Sequence, residues 1–296
     1  VLIHGLESNS NSSLSTDMAE AYIQDGFDVA FLNFRGCCGV PNDTIGGYHL
    51  GFTDDLLHFL TLIRNKFETE DNFEKRPVYL SGFSLGANVV IKCLGELGDA
   101  AMSLYNIHGA AVTGAPFDAE LNIVRVDAPG FNNIVYGGSF LKTMKQRAQF
   151  QLEQFCDGDP DTDKFDYKGC MSATTIAEYE NAFLPNVYGF KDNIDYYRCT
   201  SCYYFLSGVP VPLLIINAGD DPFFDPDFFP IEKSVDGGND DAPPIKMERT
   251  EFGGHLGYMA HQPSDIEKKR KQSTSWMPME LSRFISHVHS YTEEEQ

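Results

Sequence analysis

The sequence is short of positive charge. Its 22 Lys and Arg stand against 43 Asp and Glu, a net charge of −21 at pH 7. Nucleic acids and anionic membrane surfaces are held through basic patches, so this balance excludes nucleic acid as a partner and excludes membrane docking by charge. Long apolar runs are missing too. No stretch of the sequence approaches the ~18 residues that span a bilayer as a helix. The seven cysteines are odd in number and scattered behind no secretory signal. That usage excludes a closed disulfide framework and fits a reducing location, cytoplasmic or membrane-associated.

Metal and cofactor motifs are also wanting. Cys199 and Cys202 form a lone C-x-x-C with no second pair to complete a zinc site. The acidic run from Asp157 to Asp163 has the alternating aspartates of a calcium loop. It carries Thr162 where that loop needs glycine and Lys168 where it needs glutamate, so it reads as a solvated loop. No cofactor and no metal is therefore expected.

What is present is a chain of 296 residues, 42% hydrophobic, enough for one large core. Apolar strands alternate with helical patterns: Val1–Ile3, a helix over Thr16–Gln24, Asp28–Phe34, then a helix entered at Thr53 with Leu56, Leu60, Ile63 and Phe67 on its inner stripe. Strands at Pro77–Gly82, Ile107–Thr113, Val211–Ile216 and Pro244–Arg249 follow, and a last helix over Pro278–Tyr291 packs through Leu281, Phe284, Ile285, Val288 and Tyr291. This rhythm predicts an α/β fold, a mainly parallel sheet with helices on both faces. From 116 to 208 the alternation stops. That aromatic, mostly helical stretch reads as a cap, with Phe131, Tyr136, Phe140, Leu141, Phe183, Leu184 and Phe190 as candidate walls for an acyl chain.

The chemistry centres on Gly82-Phe-Ser-Leu-Gly86, a G-x-S-x-G between a strand and a helix. Such a turn lifts the Ser84 hydroxyl above the sheet, and the helix start behind it favours an oxyanion. A serine hydroxyl is a poor nucleophile near neutrality. It needs an imidazole to take its proton and a carboxylate to orient that imidazole. His255, framed by Gly253, Gly254 and Gly257 after the last strand, supplies the base. The acid comes from the turn after the preceding strand, where Asp221 is preferred and Asp220 is the alternative. The backbone N–H of Leu6, after His4-Gly5, and that of Leu85, after the serine, are the expected oxyanion donors. An ordinary strand turn with a surface histidine would read the same way at His4.

The residues His4-Gly-Leu-Glu7, Asn33-Phe-Arg-Gly-Cys37, Tyr48-His49, Gly82-Phe-Ser-Leu-Gly86 with Asn88, Pro116-Phe-Asp118, Gly189-Phe190, Tyr196-Tyr197, Asp220-Asp-Pro-Phe223 and Gly253-Gly-His-Leu-Gly257 resemble the YheT-like branch of α/β-hydrolases. That branch includes abhydrolase-domain lipases and esterases, embryogenesis-associated hydrolases and medium-chain ethyl-ester synthases. Ala87 stands where the family usually has glycine and Cys38 where it often has serine.

The resemblance implies one α/β-hydrolase domain over 1–296 with a cap insertion at 116–208. It also implies sheet strands ahead of Val1, and in several members a membrane anchor there, so any membrane association would run through a segment absent from this chain. The implied activity is that of a serine hydrolase of small-molecule or lipid acyl esters, acylated on Ser84. Two other readings stand beside it. One is transfer of a medium-chain acyl group to an alcohol, for which His49 to Asp54 fits an H-x-x-x-x-D pattern; the other is a non-catalytic binding protein on the same fold.

Overall fold

The computed structural model describes residues 1–68, 76–130, 137–238, 242–258 and 276–294. Among them, six strands form one sheet: β1 (Leu2–Ile3), β2 (Phe31–Leu32), β3 (Val78–Phe83), β4 (Ile107–Thr113), β5 (Leu213–Ala218) and β6 (Ile245–Thr250). Their order is β2-β1-β3-β4-β5-β6 and every neighbouring pair is parallel. Parallel neighbours cannot be joined by hairpins, so the chain crosses over through helices and buries both sheet faces. The two-residue period of a strand then sorts its side chains. Leu2, Tyr79, Ala111, Leu214 and Ile216 pack under α1 (Ser13–Gln24) and the C-terminal helix. Ile3, Leu80, Ala110, Val112, Leu213 and Ile215 face the opposite way, towards α2 (Asp54–Glu68) and α3 (Leu85–Leu97).

After α3 and the short α4 (Ala100–Tyr105), the chain returns through β4 and leaves the sheet. Between β4 and β5 lie α5 (Ala119–Asp127), α6 (Gly138–Phe155), α7 (Tyr167–Ser172), α8 (Ile176–Tyr188) and α9 (Asn193–Thr200), then a 3-10 segment, Cys202–Gly208. Side-chain caps set several of their starts. Asp118, Asp166, Thr175 and Asp192 each accept an otherwise unpaired N–H of the first turn, Thr175 in a full capping box with Glu178. Asp127 at the end of α5 accepts the Ile176 and Ala177 amides at 2.9 Å each and so pins α5 to α8.

Boundaries differ from the sequence expectation in ways the hydrogen bonds explain. α1 starts at Ser13 because Ser12 caps it. The strand expected over Asp28–Phe34 is paired only at Phe31–Leu32, since its neighbour β1 offers two residues. β5 begins at Leu213 because Pro212 has no N–H to give; its carbonyl instead accepts the Ala110 amide at 2.9 Å. Thr53 sits at the entry of α2, but its hydroxyl donates to Glu96 at 2.8 Å rather than capping. The last helix, α10, runs Trp276–Glu294, and Tyr291 is 58% exposed, against the inner position expected for it.

Candidate active site

β3 and α3 meet at Ser84, whose φ of 54° and ψ of −123° lie where side-chain-bearing residues are strained by about 1–3 kcal/mol. The surroundings hold it there. Its N–H donates to the Thr113 carbonyl at 2.9 Å, and its own carbonyl accepts the Ala87 and Asn88 amides. The turn is tight enough to demand glycine on both sides. A Cβ on Gly86 would stand 2.5 Å from the carbonyl oxygens of Ile3 and His4, and one on Gly82 would stand 2.8 Å from the Gly86 backbone.

The loops after β5 and β6 bring the partners of Ser84 to it. His255 Nε2 lies 2.8 Å from Ser84 Oγ, and His255 Nδ1 lies 2.8 Å from Asp221 Oδ2. With a carboxylate on one side and a hydroxyl on the other, the neutral ring carries its proton on Nδ1 and accepts at Nε2. Asp221 is buried, and its Oδ1 accepts the Phe223 amide at 2.9 Å. Asp220 is exposed and takes another part: its Oδ1 accepts the Gly254 amide at 2.7 Å, bracing the glycine turn that presents His255. The rings of Phe223 and Phe224 pack edge-on to His255 at 4.5 and 5.4 Å.

The turn after β1 faces the same serine. Far from being a surface residue, His4 is wholly buried, and burial pushes its pKa below the ordinary range. Its Nε2 accepts the Phe34 amide at 3.0 Å, which leaves Nδ1–H to donate to the Gly5 carbonyl at 2.7 Å. In a trans peptide the N–H points opposite to the C=O. The Gly5 carbonyl bound to His4 therefore turns the Leu6 N–H the other way. Leu6 and Leu85 both line the cavity that holds Ser84 and His255.

That cavity has a volume of about 960 Å³ and runs from the triad into the helices between β4 and β5. Of the apolar residues expected as walls, Phe140, Phe183 and Leu184 line it. Leu141 is instead packed into the core, Phe190 packs against His49 and Tyr196, and Phe131 and Tyr136 lie outside the described residues. His49 is half-buried among aromatic rings at the cavity wall, with desolvation pushing its pKa down to about 3 and its Nδ1 accepting the Gly51 amide, whereas Asp54 is exposed at the head of α2 and does not line the cavity. The H-x-x-x-x-D pattern thus joins no common site. Of the other histidines after the acid, His289 packs on Tyr79, His287 lies on α10 against Tyr291, and His261 lies outside the described residues, as does the basic run Lys268–Lys271.

Three wall residues were given no role by the sequence, although Tyr48 stands among those that carry the family resemblance. Glu180 on α8 is bound by the Tyr197 hydroxyl, and burial raises its pKa to about 7. Arg147 on α6 forms an ion pair with Glu7 at 3.2 Å. Tyr48 joins that pair, its hydroxyl 3.0 Å from Glu7 Oε1. Each contact links segments from 17 to 140 residues apart in sequence, so no local pattern announces it.

No protein-family model matches the sequence. Among curated proteins it is 30% identical over 259 residues to YheT of Escherichia coli, named as a candidate esterase, covering 88% of this chain and 70% of that one. It is 25% identical over 304 residues to the medium-chain fatty acid ethyl ester synthase/esterase 2 of Saccharomyces cerevisiae, covering 97% of this chain and 61% of that protein. Among solved structures, the esterase Pf2001 of Pyrococcus furiosus superposes with a TM-score of 0.52 at 14% identity, over 98% of this chain and 82% of that one, which establishes a shared fold. With an α/β-hydrolase fold, an elbow serine and this degree of likeness to YheT, the chain belongs to the YheT-like family of α/β-hydrolases, a family of esterases and lipases.

Proposed function

We propose that this chain is a serine hydrolase of carboxylic esters that works through an acyl-enzyme on Ser84. The observation that carries the reading is the continuous relay Ser84 Oγ, His255, Asp221, with 2.8 Å at each link. His255 Nε2 takes the hydroxyl proton as Ser84 Oγ attacks the ester carbonyl. Asp221 holds the ring in the required tautomer and stabilises the imidazolium. The carbonyl oxygen becomes an oxyanion, bound by the N–H groups of Leu6 and Leu85. Collapse breaks the bond to the alcohol, which leaves with the proton from Nε2. Water then attacks the acyl-Ser84 carbonyl, giving its proton to His255, and the acid departs as Ser84 regains its hydrogen.

The cavity supports lipid-like acyl esters as the substrate class, because its walls beyond the triad are largely aliphatic and aromatic side chains of the cap. The yeast relative's name, which joins synthase to esterase, favours a second reading: an alcohol replaces water in the second half-reaction. Mass spectrometry of the protein quenched after mixing with p-nitrophenyl octanoate tests the first reading. It is expected to show the octanoyl adduct on the peptide containing Ser84, and its absence during turnover contradicts the acyl-enzyme. Adding ethanol and weighing ethyl octanoate against free acid decides between water and alcohol as acceptor; absence of the ester rules the second reading out.

A further inference from the structure

The direction of the Leu6 amide depends on the peptide planes on either side of it. His4 fixes the plane before it through the Gly5 carbonyl at 2.7 Å. The plane after it is fixed by the Glu7 N–H, which donates to the Tyr48 hydroxyl at 2.8 Å. Glu7 needs that restraint, because its φ of 56° lies in the left-handed region, which costs a residue with a side chain about 1–2 kcal/mol.

The Tyr48 hydroxyl has one proton, and it points to Glu7 Oε1 at 3.0 Å, leaving its lone pairs for the Glu7 amide. The carboxylate thus closes a ring onto its own backbone through Tyr48. Arg147, from α6, then clamps the ring. Its Nη2 lies 3.2 Å from Glu7 Oε1, its guanidinium stacks over the Tyr48 ring at 5.0 Å, and it reaches the Cys37 sulfur at 3.4 Å. Burial alone would depress the Arg147 pKa; the Tyr48 and Glu7 oxygens around it more than reverse that, and the guanidinium stays charged.

There is a second reason for a cation here. Glu7 follows the oxyanion donor directly in sequence, and a bare carboxylate there repels the charge that builds on the substrate oxygen. An arginine bonded to it removes most of that repulsion. We propose that Arg147 is a positioning residue for the oxyanion site: from the cap it holds Glu7 and Tyr48, and through them the Leu6 N–H, and it neutralises the carboxylate that does the holding. The proposal rests on the ester-hydrolase reading with Leu6 as an oxyanion donor. It makes α6 and the oxyanion turn one mechanical unit.

The test compares wild type with Arg147→Met, Arg147→Lys, Tyr48→Phe and the double variant Glu7→Gln/Arg147→Met. The readouts are kcat and KM on p-nitrophenyl octanoate and inhibition by an octyl trifluoromethyl ketone, whose adduct with Ser84 bears the oxyanion. Arg147→Met is expected to lower kcat about tenfold to hundredfold, with KM changed less than about twofold and the ketone weakened in step with kcat. Arg147→Lys retains most of the rate. The double variant recovers at least about fivefold over Arg147→Met, because the uncompensated charge is gone. Tyr48→Phe, which leaves the cap charge in place, shows the same kcat and ketone losses and decides the matter if Arg147→Met does not fold. Variants that lose rate only through KM, or a double variant as slow as Arg147→Met with undiminished ketone affinity, overturn the proposal. Labelling of the wild-type serine by a fluorophosphonate shows independently that the hydrolase reading stands.

Discussion

Asp221 places one carboxylate oxygen 2.8 Å from Nδ1 of His255 while only 1% of its side chain is exposed. Asp220, its neighbour in sequence, bonds the backbone of Gly254 instead. The two aspartates therefore differ in what their loss should cost. Asp221→Asn is expected to lower kcat by about 10³–10⁴, because an amide can present its N–H to Nδ1 and favour the wrong tautomer. Asp220→Asn leaves an acceptor for the Gly254 amide and should cost no more than about tenfold, in line with a bracing role at one remove from the chemistry. Steady-state rates of the two variants on one ester decide it; the reverse ranking gives the acid role to Asp220.

Asn88 should prove a stability determinant out of proportion to its size. It is fully buried on α3, where Nδ2 donates to the Leu50 and Thr200 carbonyls at 2.8 Å each and Oδ1 accepts the Cys202 amide at 2.8 Å. It thus ties the sheet-side helix to the segment before α2 and to the exit of the cap. Asn88→Ala strands three buried backbone groups and is expected to cost about 2–4 kcal/mol, read as a shift in the urea midpoint. A midpoint within experimental error of wild type contradicts this bridging role.

Much of the candidate site's geometry was legible because it is local. The elbow needs glycine at 82 and 86 for a steric reason visible in five residues, and the glycines around His255 mark an open turn in the same way. The sheet followed from apolar runs that must be buried on both faces. The acid was harder, since Asp220 and Asp221 are adjacent, and only the fold shows which one turns inward. The Arg147–Glu7–Tyr48 clamp was invisible, because its members are 140 and 41 residues apart and the cap's helix packing alone makes them neighbours. The surface-histidine reading of His4 stayed open for a similar reason: Phe34, in the segment just after β2 that covers it, lies 30 residues away.

Stability should depend on pH through groups that burial perturbs in opposite senses. His4 and His49 are both held below the ordinary 6.5 by burial, His49 at about 3. Above pH 6.5 they are neutral in folded and unfolded chains alike. Below it the unfolded chain takes up protons that the folded one refuses, so stability falls as pH drops, by up to about 1.4 kcal/mol per unit for each histidine. Glu180 acts oppositely. Burial raises its pKa from 4.5 to about 7, so the stability it adds is full below 4.5 and is lost as pH rises through 7. Urea titrations at constant ionic strength should therefore show a steeper acid-side loss between pH 7 and 5 in Glu180→Gln than in wild type. Parallel curves contradict the assignment of that proton to Glu180.

The central claim, that Ser84 is the nucleophile of a relay through His255 to Asp221, is tested most directly by labelling the folded protein with a fluorophosphonate. Wild type is expected to take one phosphonyl group per chain, on the peptide that holds Ser84. Ser84→Ala should take none, and His255→Ala should label at least about 10³-fold more slowly. A folded wild-type protein that stays unlabelled, or a Ser84→Ala variant that labels as wild type does, contradicts the claim.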